Sequence, residues 1–419
     1  MSTNIQKNQI TEGIIWRQLL LFFFPILLGT FFQQLYNTID SVIVGQFVGK
    51  EALAAVGGSS AQIVAFVVGF FTGLSSGASV TIAQFFGAKD SRSANKGLHT
   101  AYAIAAFGGL ILTVSGIILT PFLLEMMNTP ADIVADSAVY LRIYFAGIIF
   151  VLIYNMGSAI LRATGDSKRP LYYLIVCCII NIVLDVLFVI VFHMGVMGVA
   201  VATLIAQAVS AVLVTLKLMR SEGILKLSVK QIRFHGSILK MQLKLGLPTG
   251  FEAILFSITN IAIQSAVNTF GTDTTAAWSA YGKLDAIFWM VSTAFGIAIT
   301  TFVGQNYGAG KMDRVRKSTR VCLLMDFIVS AVLVVFLIAA RFLLFRLFTN
   351  DSHVIEIGCD MLVLITPWYI VYVFIEVIAG ALRGVGNVVV PVVITLLGVC
   401  VLRIAWLAAM LKISPTISA

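Results

Sequence analysis

Acidic and amide side chains set deep in apolar runs are the residues of this chain with the most chemistry to offer. Residues 31–49 read FFQQLYNTIDSVIVGQFVG and place Gln33, Gln34, Tyr36, Asn37 and Asp40 where lipid would favour none of them. An ionisable group within a membrane span costs about 2.5–3.5 kcal/mol on insertion scales, and such groups normally face a cavity and take part in function. Tyr36 and Asp40 are four residues apart, so one helix face carries both. Asp185 closes the stretch NIVLD, with Asn181 one turn before it on the same face. Counted from the nearer end of each apolar run, Asp40, Asp185 and Thr203 all lie about 12–14 Å deep at 1.5 Å per residue; Asn155 sits deeper. Low dielectric disfavours the charged form of any acid, so a carboxyl group in such surroundings can carry a proton at neutral pH. Opening its cavity to water changes that preference, and protonation can then drive a conformational change. Na⁺ is the rival ion, with Asp185, Asn181 and Thr203 offering hard oxygens.

The second half of the chain has its own set: Glu252, Lys283, Asp285, Glu376 and Arg403. Three acids against two bases predict a paired network with a residual negative charge. That excess suits a cationic organic molecule, Na⁺ or a proton; a static salt-bridge network is the competing expectation. No cofactor is expected. The five cysteines form neither a disulfide framework nor a metal motif, and the four histidines fall at the ends of apolar runs or in loops, so no enzyme site is expected either. Gly73-Leu74-Ser75-Ser76-Gly77 matches the hydrolase pattern GxSxG, but it lies inside an apolar helix instead of a strand–turn–helix. With Gly69 it reads as tandem GxxxG, a helix-packing surface.

Helices must carry these groups. The chain has 419 residues, 59% hydrophobic and 11% charged, with a mean hydropathy of +0.99; soluble domains hold about 25% charged residues. Apolar runs of about 20 residues recur throughout, which is the length of a helical span and not the alternation of a β-barrel. An all-α polytopic membrane protein follows, with eleven spans expected at 14–48, 52–86, 98–122, 134–161, 169–193, 195–219, 244–270, 274–306, 318–341, 355–382 and 388–412. A cytoplasmic N-terminus puts 21 of the 28 Lys and Arg on the inner side, Arg383 among them, and leaves Glu125, Asp132, Asp136, Asp351, Glu356 and Asp360 outside. The net charge of +9 is thus a topology signal and not a mark of nucleic-acid binding.

The longest basic connection divides the chain into residues 1–220, a cytoplasmic linker at 221–243, and 244–419. The two halves repeat. Pro25 pairs with Pro248, Gly49 with Gly271, Gly87 with Gly308, LRATGD (161–166) with LRGVGN (382–387), and Pro170 with Pro391, at shifts of 221–223. Each half starts on the same side, so the repeats are parallel. The region matching VFHMGVMGVAVATLIAQ after Met410 is LKISPTISA, so a twelfth span is expected beyond this sequence.

YNTIDSVIVGQFVG, QFFGAKD, GQNYGAGK, LRATGDSKRP, NIVLD and EVIAGALRGVGN together resemble the multidrug and toxic compound extrusion (MATE) family, bacterial type, over nearly the whole chain. The resemblance implies two pseudo-symmetric six-helix lobes in a V shape, here one helix short, working as a monomer in the bacterial cytoplasmic membrane. It implies export of amphipathic, often cationic, organic compounds in exchange for H⁺ or Na⁺. It also implies a first-lobe cation and proton site at Tyr36, Asp40, Asn155, Asn181, Asp185 and Thr203. The alternative is a flippase for lipid-linked precursors built on related architecture. A pyrophosphate headgroup would call for a cationic cavity, whereas the intramembrane residues here lean acidic.

Overall fold

The computed structural model describes residues 10–413, with side chains through 409. Among the described residues every regular element is helical, and eleven helical segments are long and apolar enough to cross a membrane. In chain order the α-helices are α1 (Ile15–Phe47), α2 (Lys50–Gly57), α3 (Ser59–Gly87), α4 (Ser91–Met126), α5 (Val134–Ala163), α6 (Lys168–Asp185), α7 (Gly195–Met219), α8 (Gly236–Asn268), α9 (Thr272–Gly308), α10 (Met312–Ala339), α11 (Arg341–Arg346), α12 (Ser352–Ile365), α13 (Tyr369–Gly384), α14 (Val389–Thr395) and α15 (Leu402–Ile413). The expected spans fall on these helices. The main differences are polar extensions: α4 starts at Ser91 and α8 at Gly236, each several residues before its apolar run, because a helix continues past the lipid wherever its backbone bonds can.

The chain packs as two compact units, Phe24–Phe251 and Met1–Phe23 with Glu252–Ala419, so the division falls inside α1 and α8. In the first unit α5 packs on α3, α4 and α7 around Leu98, Tyr102, Ile148, Leu152 and Val214. The first part of α8 lies against α3 through four glycines. A Cβ on Gly246 would stand 2.7 Å from the Leu74 carbonyl oxygen, and one on Gly250 2.7 Å from that of Phe70; Gly73 and Gly77 face the α8 backbone in return. Ser75 donates to the Phe71 carbonyl within its own helix at 2.8 Å, so the GxSxG match is a packing surface. In the second unit α9 is the hub, packed by α10, α12 and α13. Residues at the start of α1 belong here: Phe23 stacks on Phe295 at 4.0 Å, and Arg314 donates to the carbonyls of Ile10 and Glu12.

The connection after α7 docks on α4. Asn95 donates to the carbonyls of Ile224 and Lys226, the Ser228 N–H donates to His99 Nε2 at 3.0 Å, and Thr100 Oγ1 meets His235 Nδ1 at 3.1 Å.

The repeat is visible at atomic detail within each unit. Ser79 Oγ donates to the Ala159 carbonyl, and Thr300 Oγ1, 221 residues later, donates to that of Gly380. The turn after α5 holds Gly165 at φ 96° with Asp166 Oδ1 accepting from the Arg169 N–H. The turn after α13 holds Gly386 at φ 92° with Asn387 Oδ1 accepting from the Val390 N–H. Only glycine takes such φ values without strain.

Candidate functional site

Asp40 lies on α1 and Asp185 on the last residue of α6, directly before a π-helical turn at Val186–Val191. The wide turn replaces the usual backbone bonds: the Phe192 N–H reaches back five residues to Leu187. Asp185 is 0% exposed and Asp40 8%. The two carboxyl groups are neighbours, and Thr203 on α7 lies beside Asp40. Asp40 Oδ1, both oxygens of Asp185, both side-chain polar atoms of Asn181 and Thr203 Oγ1 are buried without a partner in the structure. Orphaned buried polar atoms of this kind are rare because each loses its water without a replacement. A cluster of them can take something small and polar: a proton between the carboxyls, or a cation among their oxygens. No group of three His, Cys, Asp or Glu side chains suited to a metal ion occurs among the described residues.

Tyr36 is buried one turn from Asp40, and its hydroxyl accepts from Gln207 Nε2 at 3.4 Å. Tyr140 lies within electrostatic reach of both carboxyl groups, and it stacks on Tyr144 with ring centroids 6.2 Å apart. Gln207, Tyr140 and Tyr144 were not among the residues expected here. Gln207 was findable, since it follows Thr203 by one helical turn; the tyrosines carry no such signal, because an aromatic residue in an apolar span reads as core. Asn155 is half-buried on α5 and makes no hydrogen bond to the others. Next to Tyr36 and Asp40 around α1, Gln33, Asn37 and Ser41 form an exposed polar stripe at intervals of four, a face suited to water and not to lipid.

The five residues expected in the second half do not form one network. Arg383 joins two of them, at 3.7 Å from Glu252 and 3.6 Å from Glu376. Its side chain is 16% exposed, so it is an internal partner and not the loop charge its position after α13's apolar run suggested. Tyr372 donates to Glu376 Oε2 at 3.3 Å, and Gly296 leaves the space on α9 that the Glu376 carboxylate fills. Asp326 on α10, missed by the sequence reading, is fully buried near Glu376; it accepts from Ser330 at 3.1 Å through Oδ1, while its Oδ2 has no partner in the structure. Asp285 belongs to a separate aromatic cluster. It accepts from Trp289 Nε1 at 2.8 Å and from the Tyr369 hydroxyl, which also bonds Tyr281, and Arg403 lies within electrostatic reach. Lys283 is exposed and joins neither group, since two residues along a helix turns it away from Asp285.

Such a protein, with paired buried acids in a helical membrane bundle made of two repeats, falls in the class of ion-driven membrane carriers. The MatE family model matches the chain twice, over residues 25–187 and 248–407, and the chain belongs to this family of transporters. It is 30% identical over 393 residues to the probable multidrug resistance protein YoeA of Bacillus subtilis, covering 92% of this chain and 84% of that one. It is 31% identical over 400 residues to the probable multidrug resistance protein YpnP of the same organism, covering 95% and 89%. In fold it matches a MOP superfamily transporter from Pyrococcus furiosus, described as having a binding pocket of reversed polarity, at a TM-score of 0.90 and 22% identity over 98% of this chain and 92% of that one. An outward-facing MATE transporter aligns at 0.87, with 22% identity over 94% and 88%.

Proposed function

We propose that this protein is a secondary antiporter that exports amphipathic, often cationic, organic compounds in exchange for H⁺ or Na⁺. The reading rests on one observation above the others: Asp40 and Asp185 are adjacent, buried and short of hydrogen-bond partners beside Asn181 and Thr203. Two carboxylates so close cannot both stay charged without a cation between them. Loading the pair with H⁺ or Na⁺ therefore removes a penalty, and a conformation that admits water restores the charged state. The two repeat halves, 1–220 and 244–419, alternately expose this site and the substrate path to either side, working as a monomer in the bacterial cytoplasmic membrane with the N-terminus inside. The names of the multidrug relatives support drug-like substrates.

A lipid-linked precursor flippase is the second reading. A pyrophosphate would need several unpaired cations together within the membrane, whereas Arg383 is held by Glu252 and Glu376 and Arg403 lies beside Asp285, which leaves only Lys283 of these residues without an acid partner. The acids therefore favour the antiporter.

Export of a fluorescent cationic dye from vesicles under imposed H⁺ or Na⁺ gradients tests the proposal, with Asp40→Asn and Asp185→Asn alongside. Wild-type vesicles should export under at least one gradient. Each Asn variant should lose export by at least about tenfold, a 1.4 kcal/mol effect, while eluting as the same folded species. Normal export by Asp40→Asn would remove it as the coupling residue.

A further inference from the structure

A cavity of 830 Å³ lies along α11 and α12, away from the carboxyl pair and from the Arg383 cluster. Its lining includes Arg341, Arg346, Glu356 and Asp360, with Phe342 and Leu364 on an apolar wall. Its depth follows from the residues that precede it. Residues 321–340 hold one charge, Asp326, and as a helix they rise about 30 Å, the thickness of the hydrocarbon layer. Arg341 therefore follows directly at the membrane boundary, at the end of the span opposite to Arg314, Arg316 and Arg320. Phe342 and Leu364 are 53% and 50% exposed, so the wall of the cavity continues into the lipid-facing surface.

The four charges on this wall are not neutralised by one another. No ion pair within 4.0 Å forms among Arg341, Arg346, Glu356 and Asp360. Arg341 is fixed instead by donating to the Ile338 carbonyl at 2.8 Å, with its guanidinium 4.7 Å from the Phe342 ring centroid. Two cations and two anions that line one opening without pairing complement a molecule that carries both signs. Arginine forks suit phosphate oxygens, and carboxylates suit an ammonium with N–H donors.

We propose that this cavity seats the headgroup of a bilayer phospholipid bearing a phosphate and a primary ammonium. The phosphate lies on Arg341 and Arg346, the ammonium on Glu356 and Asp360, and the chains run along Phe342 and Leu364. A quaternary ammonium offers no N–H to the carboxylates, and an anionic headgroup meets them as a repulsion, so both fit less well.

Native mass spectrometry of the detergent-purified full chain, titrated separately with phosphatidylethanolamine, phosphatidylcholine and phosphatidylglycerol, tests this. Wild type should retain the ethanolamine lipid about tenfold more tightly than the choline lipid, the size of one charge-assisted hydrogen bond. The double variant Arg341→Gln/Arg346→Gln should lose both lipids. Glu356→Gln/Asp360→Asn should keep both and lose the preference. Leu364→Trp, which fills the apolar wall without touching a charge, should weaken both. Equal retention of the two zwitterionic lipids by wild type overturns the proposal. So do tightest binding of the glycerol lipid and lipid binding that none of these substitutions changes.

Discussion

Arg383 sits between Glu252 and Glu376, and all three side chains are at most 16% exposed. A guanidinium stays charged in any protein setting, so the acids must adapt to it. Removing it leaves two carboxylates in the interior with no cation, a loss of about 3–5 kcal/mol for a broken buried pair. Arg383→Ala should therefore lower the thermal unfolding midpoint in detergent, and Arg383→Leu combined with Glu252→Gln and Glu376→Gln should recover part of the loss. An unchanged midpoint for Arg383→Ala would show that the cluster is open to water. The acids of this cluster were legible in the sequence because a charge inside an apolar run is conspicuous. Arg383 was not, because it lies in the last turn of α13 beside the LRGVGN turn, and a long side chain there can point into loop or interior. Asp326 gave a signal that was passed over, a lone acid in an apolar run; its nearness to Glu376 had none, because it comes from packing between α10 and α13. In the first unit Asp185 and Thr203 lie beside Asp40, with Asn181 one turn before Asp185 on α6, whereas Tyr140 comes near the two carboxyls through tertiary packing that no spacing encodes.

At the scale of elements, the crossing of α3 and the start of α8 depends on glycine because backbone meets backbone there. At Gly73 a Cβ would collide with the Gly250 and Thr249 main chain, which cannot rotate aside as a side chain does. Gly73→Ala should cost about 1–3 kcal/mol, as overpacking does. Gly282, inside α9 with nothing within 4 Å of an added methyl, provides the contrast: Gly282→Ala should be neutral or stabilising by up to about 1 kcal/mol through helix propensity. Melting curves of the two variants side by side decide the matter. The glycine spacing was readable, but periodicity names a packing face and not the helix that covers it. The docked connection after α7 was hidden for a similar reason, since lysine-rich composition describes solvation and not the anchors His99, Thr100 and Asn95. That docking carries a pH signature. Partial burial, then Arg233, Lys96 and His99, push the His235 pKa down. A base whose pKa is lowered on folding favours the docked state above its free value of about 6.5, and that support fades as pH falls below it. Hydrogen exchange across residues 221–235, corrected for intrinsic rates, should speed up between pH 7.5 and 5.5, and His235→Gln should flatten the change.

The whole molecule is two copies of one plan, and the shift of 221 found in the sequence reappears in the Ser79 and Thr300 hydrogen bonds and in the paired glycine turns. Short turns with fixed backbone demands preserve their residues, so the repeat was legible at its turns; inside the helices the two copies have diverged, and their polar clusters differ. The distribution of basic residues favours a cytoplasmic start for both copies. With 21 of 28 basic residues assigned inward, reversing the chain would place most of them against the unfavourable side. All five native cysteines are buried, so a single introduced cysteine can be read against a low background. Asp132, in the connection before α5, and Lys230, in the docked connection before α8, are both exposed and lie on opposite sides in this assignment. In intact cells a membrane-impermeant maleimide should label Asp132→Cys and leave Lys230→Cys unmodified until the membrane is opened. Losing one charge at position 230 is too small a change to invert the chain. The opposite labelling pattern would therefore mean that the N-terminus lies outside and that the carboxyl pair of the first unit sits nearer the cytoplasm.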